Sequence, residues 1–450
     1  MKRFKYGLIS RILKTTRIAR AVPLLLAIMS VHFLSPSTGE GKLFIDINSP
    51  SIQRINIAIP DFVNLSSGRE HGELSRVLRS VLSSDLGLSG YFNSMPREAF
   101  LEENAESLSP KEIRFKDWSV IGAELLVKAG YNTIGNNIEL EVRLFDVFWG
   151  RQLLARRFLG KISRHRYLMH RVSSAIIKLL TGQDGISLTK VAFVSNATGH
   201  KEIYVSDYDG QNVRMITSNN SINLSPRWSP EGDKLIFVSY KDGGPMLYLK
   251  DFKSGDVKRV SQRKGLNIGA AWAPDGKRLA LTLSHKNDPD IYLIDLEGRI
   301  LRQVTDHWGI DVSPTFSPDG KKIAFVSNRS GSPQIYVKDL TTGSERRITF
   351  QGNYNTSPSW SALNRIAFSG MSDGSFDIFT IDPENGKQKN LTRGAGSNED
   401  PCWSPDGRYI LFSSNRDRRY RLYIMNGNGL DQTRITDLKG DQTAPSWAPY

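Results

Sequence analysis

Six amide or carboxylate side chains recur through the second half of this 450-residue chain: Asn223, Asn267, Asp311, Asn355, Asn398 and Gln442. Each stands five residues before an aromatic, at Trp228, Trp272, Phe316, Trp360, Trp403 and Trp447. If the repeats close around an axis, these groups ring one mouth of a channel and can hydrogen-bond a docked partner. The competing reading is local, because Asn and Asp also satisfy backbone groups at turns and strand starts. Leu266, Trp308 and Val312 flank the series and could supply the apolar anchors of a protein interface.

Catalytic chemistry finds less support. A peptidase of the α/β-hydrolase type needs G-x-S-x-G, and no such pentapeptide occurs. Metal ligation needs clustered His or carboxylates, whereas the repeats carry His200, His285 and His307 in three different units without ligand spacing. Cys402 is the single cysteine, so no internal disulfide is available; beside Trp403 it reads as a small buried residue. No catalytic, metal or cofactor set is expected.

Charge narrows the partners. Lys and Arg number 60 against 46 Asp and Glu, but the first 39 residues hold seven basic residues and no acidic one. The rest, 53 against 46, is a mild excess without a long basic run, which disfavours nucleic acid. The basic opening runs into "AVPLLLAIMSVHFL" (Ala21 to Leu34) and then "SPSTGEG". That order predicts a secretory signal peptide over residues 1–39, cut between about Ser35 and Gly41. A membrane span takes ~20 apolar residues; this run has 14 and is interrupted by Pro23, so the mature protein is expected to be exported and not membrane-embedded.

The elements that must position the six polar residues follow a ruler. The aromatics recur at steps of 44, 44, 44, 43 and 44. Tyr204, Tyr248, Tyr292, Tyr336, Phe379 and Tyr423 keep the same steps, as do Thr217, Ser261, Thr305, Thr349, Thr392 and Thr436. Within each unit, period-2 runs such as "KIAFVSN" alternate with Gly/Asp/Asn turns, the spacing of four short strands. "SPDG" (Ser317 to Gly320, Ser404 to Gly407) fits a type I turn with Gly in the left-handed position; the fourth unit reads "SALN" and is expected to lose that turn. The repeated Trp and Tyr are expected to pack between neighbouring units. Small residues three before the aromatic (Ser225, Gly269, Ser313, Ser357, Ala444) suggest crowding near an axis, and Asp400 breaks that pattern.

Six such units predict a six-bladed β-propeller over residues 187–450. The first unit begins at its second strand, "KVAFVSN" from Lys190, while "APSWAPY" (Ala444 to Tyr450) is a lone Trp-strand; pairing them closes the ring non-covalently. Residues 40–186 lack the period. "HGELSRVLRSVLSSDLG" and "HRYLMHRVSSAIIKLLTG" read as helices, the second closed by Gly182. "KLFIDINSPSIQRINIAIPDF" reads as two strands and "IELEVRLFDVFWG" as another, together an α/β domain.

With the blade phrase best developed at Ser313 to Ser327, "IYVSDYDGQN" at Ile203 to Asn212 and "SWAPY" at Ser446 to Tyr450, the chain resembles the TolB family, periplasmic propeller proteins of the Tol-Pal envelope system. The resemblance implies a non-catalytic periplasmic protein. It implies that the mature N-terminus docks the C-terminal domain of TolA and that the propeller mouth holds the lipoprotein Pal, supporting outer-membrane integrity and constriction at division. The docking segment would be Lys42, Leu43, Phe44, Ile45, Asp46 and Ile47, a β-prone stretch able to add to a partner's sheet edge or to serve as the first strand of its own domain. Other envelope proteins are further candidate partners. The alternative is an exported propeller that binds or cleaves a glycan or peptide in its channel.

Overall fold

A computed structural model describes residues 53–66, 72–101, 108–284 and 288–450. The expected signal peptide, the segment from Lys42 to Ile47 and His285 lie outside the described residues.

The α/β part begins with β1 (Ile55–Ala58), β2 (Val63–Asn64), α1 (Glu73–Leu88), β3 (Phe92–Ser94) and α2 (Phe115–Val120). It continues with β4 (Leu125–Ile134), β5 (Asn137–Asp146), β6 (Arg151–Lys161) and α3 (His165–Thr181). The sheet order is β3-β1-β4-β5-β6, with β2 also on β4; β1, β2 and β3 pair in parallel, and β4, β5 and β6 are antiparallel. Beyond the elements anticipated from sequence, the sheet gains β3, β4 and β6, and α2 covers its second face.

Both long helices are amphipathic and bury one stripe. On α1, Leu78, Val81, Leu82, Asp85 and Leu86 are buried at helical spacing, and on α3 Leu168, Val172, Ile176 and Leu180 face them across the same core. Asp85 is therefore a charge on an apolar stripe, which requires a partner. Gly182 ends α3 at φ 73°, its N–H bonded to the Lys178 carbonyl at 2.9 Å.

From Lys190 the chain makes six four-stranded antiparallel sheets. Five are sequential, starting at Asn223–Trp228, Asn267–Trp272, Asp311–Phe316, Asn355–Trp360 and Asn398–Trp403. The sixth joins Gln442–Trp447 to β7 (Lys190–Ser195), β8 (Glu202–Asp207) and β9 (Arg214–Met215), with Gln442 opposite Ser195 and Trp447 opposite Val191. Closure removes the two free edges of an open array.

Every inner strand carries a bulge at the same place, between Leu224 and Arg227 in the first and between Thr443 and Ser446 in the last. The residue in the bulge is left-handed in all six: Ser225 (φ 51°), Gly269 (60°), Ser313 (54°), Ser357 (50°), Asp400 (54°) and Ala444 (49°). The pattern of small residues is thus first a backbone requirement, and Asp fits it because a short polar side chain tolerates this region. Asp400 is also partnered: Ser357 Oγ donates to its Oδ1 at 2.9 Å and its own N–H donates to Ser369 Oγ at 3.0 Å. A proline follows in five blades, where the bulge frees it from donating to the ladder.

One expectation needs correction and another needs refining. The fourth blade keeps its turn, because Asn364 takes the left-handed position at φ 55° and its N–H bonds the Ser361 carbonyl at 3.1 Å; Asn shares this tolerance with Gly. The aromatic landmarks also divide the work. The Trp reaches the preceding blade, as where Trp272 Nε1 donates to the Arg227 carbonyl and Trp403 Nε1 to the Ser359 carbonyl, both at 3.1 Å. The Tyr stacks on an aromatic of its own blade, for example Phe237 on Tyr248 and Phe325 on Tyr336, and also packs against the preceding blade, as Tyr292 does with Ile236 and Leu247.

The α/β part docks on the face where the inner strands end, against the fifth and sixth blades. Arg408 Nη1 donates to Tyr91 Oη at 3.0 Å, Tyr409 Oη donates to the Ser89 carbonyl, Arg54 pairs with Asp431, and Tyr450 Oη donates to the Asp184 carbonyl. Burial, with the neighbouring Tyr91 and Asp406, pushes the Tyr409 hydroxyl well above its usual range, so it stays a donor.

Candidate functional site

The opposite mouth, where inner strands begin, is built from the loop that ends one blade and starts the next. Each loop runs from the repeated Thr or Ser to the repeated amide or carboxylate, and the structure joins these two landmarks. In the fourth junction, Thr349 Oγ1 donates to Gln334 Oε1 at 2.8 Å, accepts from the Ile335 N–H at 2.9 Å, and Asn355 Nδ2 donates to the same Gln334 oxygen at 2.8 Å. Asn355 Nδ2 also reaches the Gln351 carbonyl at 2.9 Å, across the loop.

The same clip recurs with different partners. Asn223 Nδ2 donates to Glu202 Oε2 at 2.9 Å, and Asn398 Nδ2 to the Gly396 carbonyl at 3.0 Å. Asn267 Oδ1 accepts from Ser261 Oγ at 2.7 Å, and Gln442 Nε2 donates to the Leu438 carbonyl at 3.1 Å. Asp311 is the one carboxylate and is matched by a cation, Arg329 Nη2 at 2.7 Å. Nearby, burial pushes the Asp290 carboxyl up; Thr305 donates to it at 3.0 Å, and the charge of Asp311 adds to the upward shift.

All six are at most 1% exposed. The expectation that they present polar groups to the channel mouth is therefore corrected: they form a ring in space, but each is engaged inside a junction. The reason is energetic, since an amide at a strand start leaves fewer unsatisfied backbone groups when it turns inward. Their effect on a partner runs through the loops they hold.

Those loops carry the exposed apolar surface. Trp308 is 69% exposed and leans on the His307 ring, Phe350 is 73% exposed under the Arg347 guanidinium, and Ile222, Ile310 and Tyr354 also face outward. Leu266 is half-buried at its loop, while Val312 packs into the core between the third and fourth blades. Sequence reasoning found Trp308 and missed Ile222, Ile310, Phe350 and Tyr354, although all lie between a Thr landmark and an amide or carboxylate landmark. Five large apolar side chains thus share this rim.

Below this rim the axis holds a cavity of about 790 Å³ lined by the bulges, the aromatics and the prolines that follow them. Most of its wall is small or apolar, with Lys201 from the sixth blade, Arg227 from the first and Glu399, Asp400 and Tyr420 from the fifth as the larger polar exceptions. Burial pushes the Asp400 carboxyl up, opposed in part by the Ser357 hydroxyl and the Arg227 charge. Burial and the Glu399 carboxylate push the Tyr420 hydroxyl up to about 12. Cys402 also faces this wall; burial raises its thiol, and its sulfur accepts the Trp447 N–H at 3.2 Å, an unreactive setting.

Comparison with known proteins returns one consistent relationship. Residues 177–450 match the family model described as the TolB beta propeller domain, and residues 43–153 match the TolB amino-terminal domain. The Tol-Pal system protein TolB of Desulfosudis oleivorans is 42% identical over 193 residues, 43% of this chain and 44% of the relative. That of Geobacter sulfurreducens is 38% identical over 211 residues, 47% of this chain and 48% of the relative. The matched stretch spans about half the length of these curated relatives. The crystal structure of TolB from Acinetobacter baumannii aligns with a TM-score of 0.76 at 29% identity, covering 91% of this chain and all of that one.

Proposed function

The chain belongs to the TolB family of Tol-Pal system proteins, and from that premise we propose that it is a non-catalytic periplasmic adaptor whose free propeller mouth docks Pal. The observation that carries this reading is the rim of exposed Trp308, Ile310, Phe350, Tyr354 and Ile222 on the face that the α/β part leaves open. Aromatic anchors of this kind, around a channel that can admit a protruding loop, are what a protein partner buries. The second contact is the segment Lys42, Leu43, Phe44, Ile45, Asp46 and Ile47, which we assign to the C-terminal domain of TolA by strand addition. The adaptor would thereby support outer-membrane integrity and constriction at division.

Among the described residues no helix is long and apolar enough to cross a membrane, which fits an adaptor that meets its partners from solution. Titration of the mature chain with the folded domain of Pal tests the reading. Trp308→Ala is expected to weaken Pal binding strongly without unfolding the protein, and deletion of residues 42–47 to remove TolA capture while leaving Pal binding intact. Unchanged Pal affinity in the Trp308 variant would refute the assignment of this mouth. A small glycan or peptide held in the channel is the competing function; Arg227 and Asp400 are the groups that would read it, and Arg227→Ala would then matter where Trp308→Ala did not.

A further inference from the structure

Asp85, the charge on the apolar stripe of α1, meets its partner at the joint between the two parts of the molecule. His170 on α3 is 2% exposed, and its Nδ1 lies 2.8 Å from Asp85 Oδ2. Its other nitrogen, Nε2, has no hydrogen-bond partner and lies 3.8 Å from Asp209 Oδ2, which belongs to the turn between β8 and β9 of the propeller. Tyr208, from the same turn, donates to Asp85 Oδ1 at 2.7 Å and sets its ring edge-on to the imidazole. Arg166, one turn before His170 on α3, pairs with Asp209. Ser187 Oγ holds the His170 carbonyl at 2.9 Å.

The turn cannot drift away. Gly210 is left-handed at φ 78°, and a Cβ there would fall 1.7 Å from the Ile435 carbonyl oxygen of the neighbouring blade. Two carboxylates, one from each side of the joint, thus flank one buried ring, Asp85 hydrogen-bonded to Nδ1 and Asp209 3.8 Å from Nε2. Ligand atoms of Asp85, His170 and Asp209 lie within 4.8 Å of one another, but Asp209 Oδ2 already pairs with Arg166 and Asp85 Oδ1 accepts from Tyr208. A neutral imidazole leaves a lone pair on one nitrogen, and either choice aims it at a carboxylate. With Arg166 already present, a doubly protonated ring makes the charges of Asp85 and Asp209 balance.

We propose that the doubly protonated ring of His170 is the latch that couples the α/β part to the propeller, so that docking between them responds to pH. Burial by itself would lower the pKa of this ring, but the hydrogen bond and charge of Asp85, and the charges of Asp209 and Asp207, outweigh it and raise the value above its usual 6.5. Asp85 is in turn pushed up by burial, which the bonds from His170 and Tyr208 offset in part. Asp207 is held by Lys190 at 2.8 Å and remains a neighbouring negative charge. A group whose folded pKa is raised contributes its full stabilisation below the unfolded value of about 6.5 and loses it as pH rises through the folded value.

The test uses the full mature chain between pH 6 and pH 9. Wild type should exceed His170→Gln in unfolding stability at pH 6, and the gap should close as pH rises. Hydrogen exchange at Tyr208 to Gly210 and along α3 should accelerate, after correction for intrinsic rates, by about tenfold per pH unit between about 6.5 and the folded value. Exchange in the strand Asn267–Trp272, remote from the joint, should not follow. Histidine-detected NMR of wild type should show both ring nitrogens protonated at pH 7, and Asp209→Asn should lower the titration midpoint. Those two spectra decide the matter even if His170→Gln fails to fold. A stability gap that stays constant or widens with pH, or a ring that titrates below 6.5, would overturn the latch.

Discussion

The two faces of the propeller are built from different turns of the same blades and handle polarity in opposite ways. On the docked face, polar side chains are the contact itself: Arg408 meets Tyr91, Tyr409 meets Ser89, and Asp209 faces His170. At the free mouth, the polar side chains are withdrawn into the junctions, and apolar Trp308, Ile310 and Phe350 are left outside. The first arrangement suits a permanent partner in the same chain, because buried charges are matched once and stay matched. The second suits a partner that comes and goes, because an apolar rim loses little when it is re-exposed and needs no ion pair remade. The difference teaches that polar side chains of one repeat can serve adhesion on one face and loop shape on the other.

Substitutions can break or sharpen this contrast. The largest effect is expected at the closure: Trp447→Ala removes a buried indole and its 2.8 Å bond to Thr189 Oγ1, and should lower unfolding free energy by about 3–5 kcal/mol in a denaturant titration. Next, Trp308→Ala should weaken partner binding by about 2–4 kcal/mol in calorimetry while changing stability by less than about 0.5 kcal/mol. Asn355→Ala should show the reverse order, a stability loss of about 1–3 kcal/mol from the orphaned Gln334 and Gln351 groups, with a smaller loss of affinity through the slackened loop. Equal losses of both kinds in the two variants would erase the distinction between rim and clip.

Smaller effects probe the same boundary. Asn364→Gly should cost about 1 kcal/mol in thermal unfolding, because Oδ1 accepts from Trp360 Nε1 at 2.9 Å, and Asn364→Ala about 1 kcal/mol more for the left-handed position. On the docked face, burial tends to raise the Asp207 carboxyl, but hydrogen bonds from Lys190 and Asn212 outweigh it and hold the value below its ordinary one. A depressed folded pKa means stability present above the unfolded value of about 3.9 and lost as pH falls through the folded one. Asp207→Asn should therefore be about 0.2–1 kcal/mol less stable at pH 7, with the difference vanishing in acid.

Periodic features were readable from residue types alone, because every blade solves the same packing problem. The six aromatics, the strand count and the closure of Gln442–Trp447 on β7 all follow from spacing. What resisted was the direction in which a side chain turns. Asn223 and its counterparts mark the mouth correctly in sequence, yet Asn223, Asn355 and Asn398 turn inward onto Glu202, Gln334 and Asp377, which lie near the start of a third strand and looked unremarkable. The left-handed bulge read as crowding because Ser, Gly and Ala satisfy both causes; Asp400 held the clue, since it is not small but does tolerate positive φ. His170 was legible only as one residue of a helix, because Asp85 lies a full helix and sheet earlier and Asp209 arrives from another fold unit.

Closure by a distant strand also has a kinetic side. Gln442 pairs with Ser195, 247 positions earlier, so the edge of β7 stays without its neighbour until almost the whole ring has emerged. The docking groups Arg408 and Tyr409 arrive late as well, in the fifth blade, leaving Tyr91 and Ser89 waiting for their contacts. A chain delivered from its N-terminus would therefore travel with one sheet edge and one domain face uncovered for most of its passage. Pairing over such a separation is slow, and the uncovered edge invites strands from other chains. The same ring that is edgeless when complete would depend on escort while it is being made.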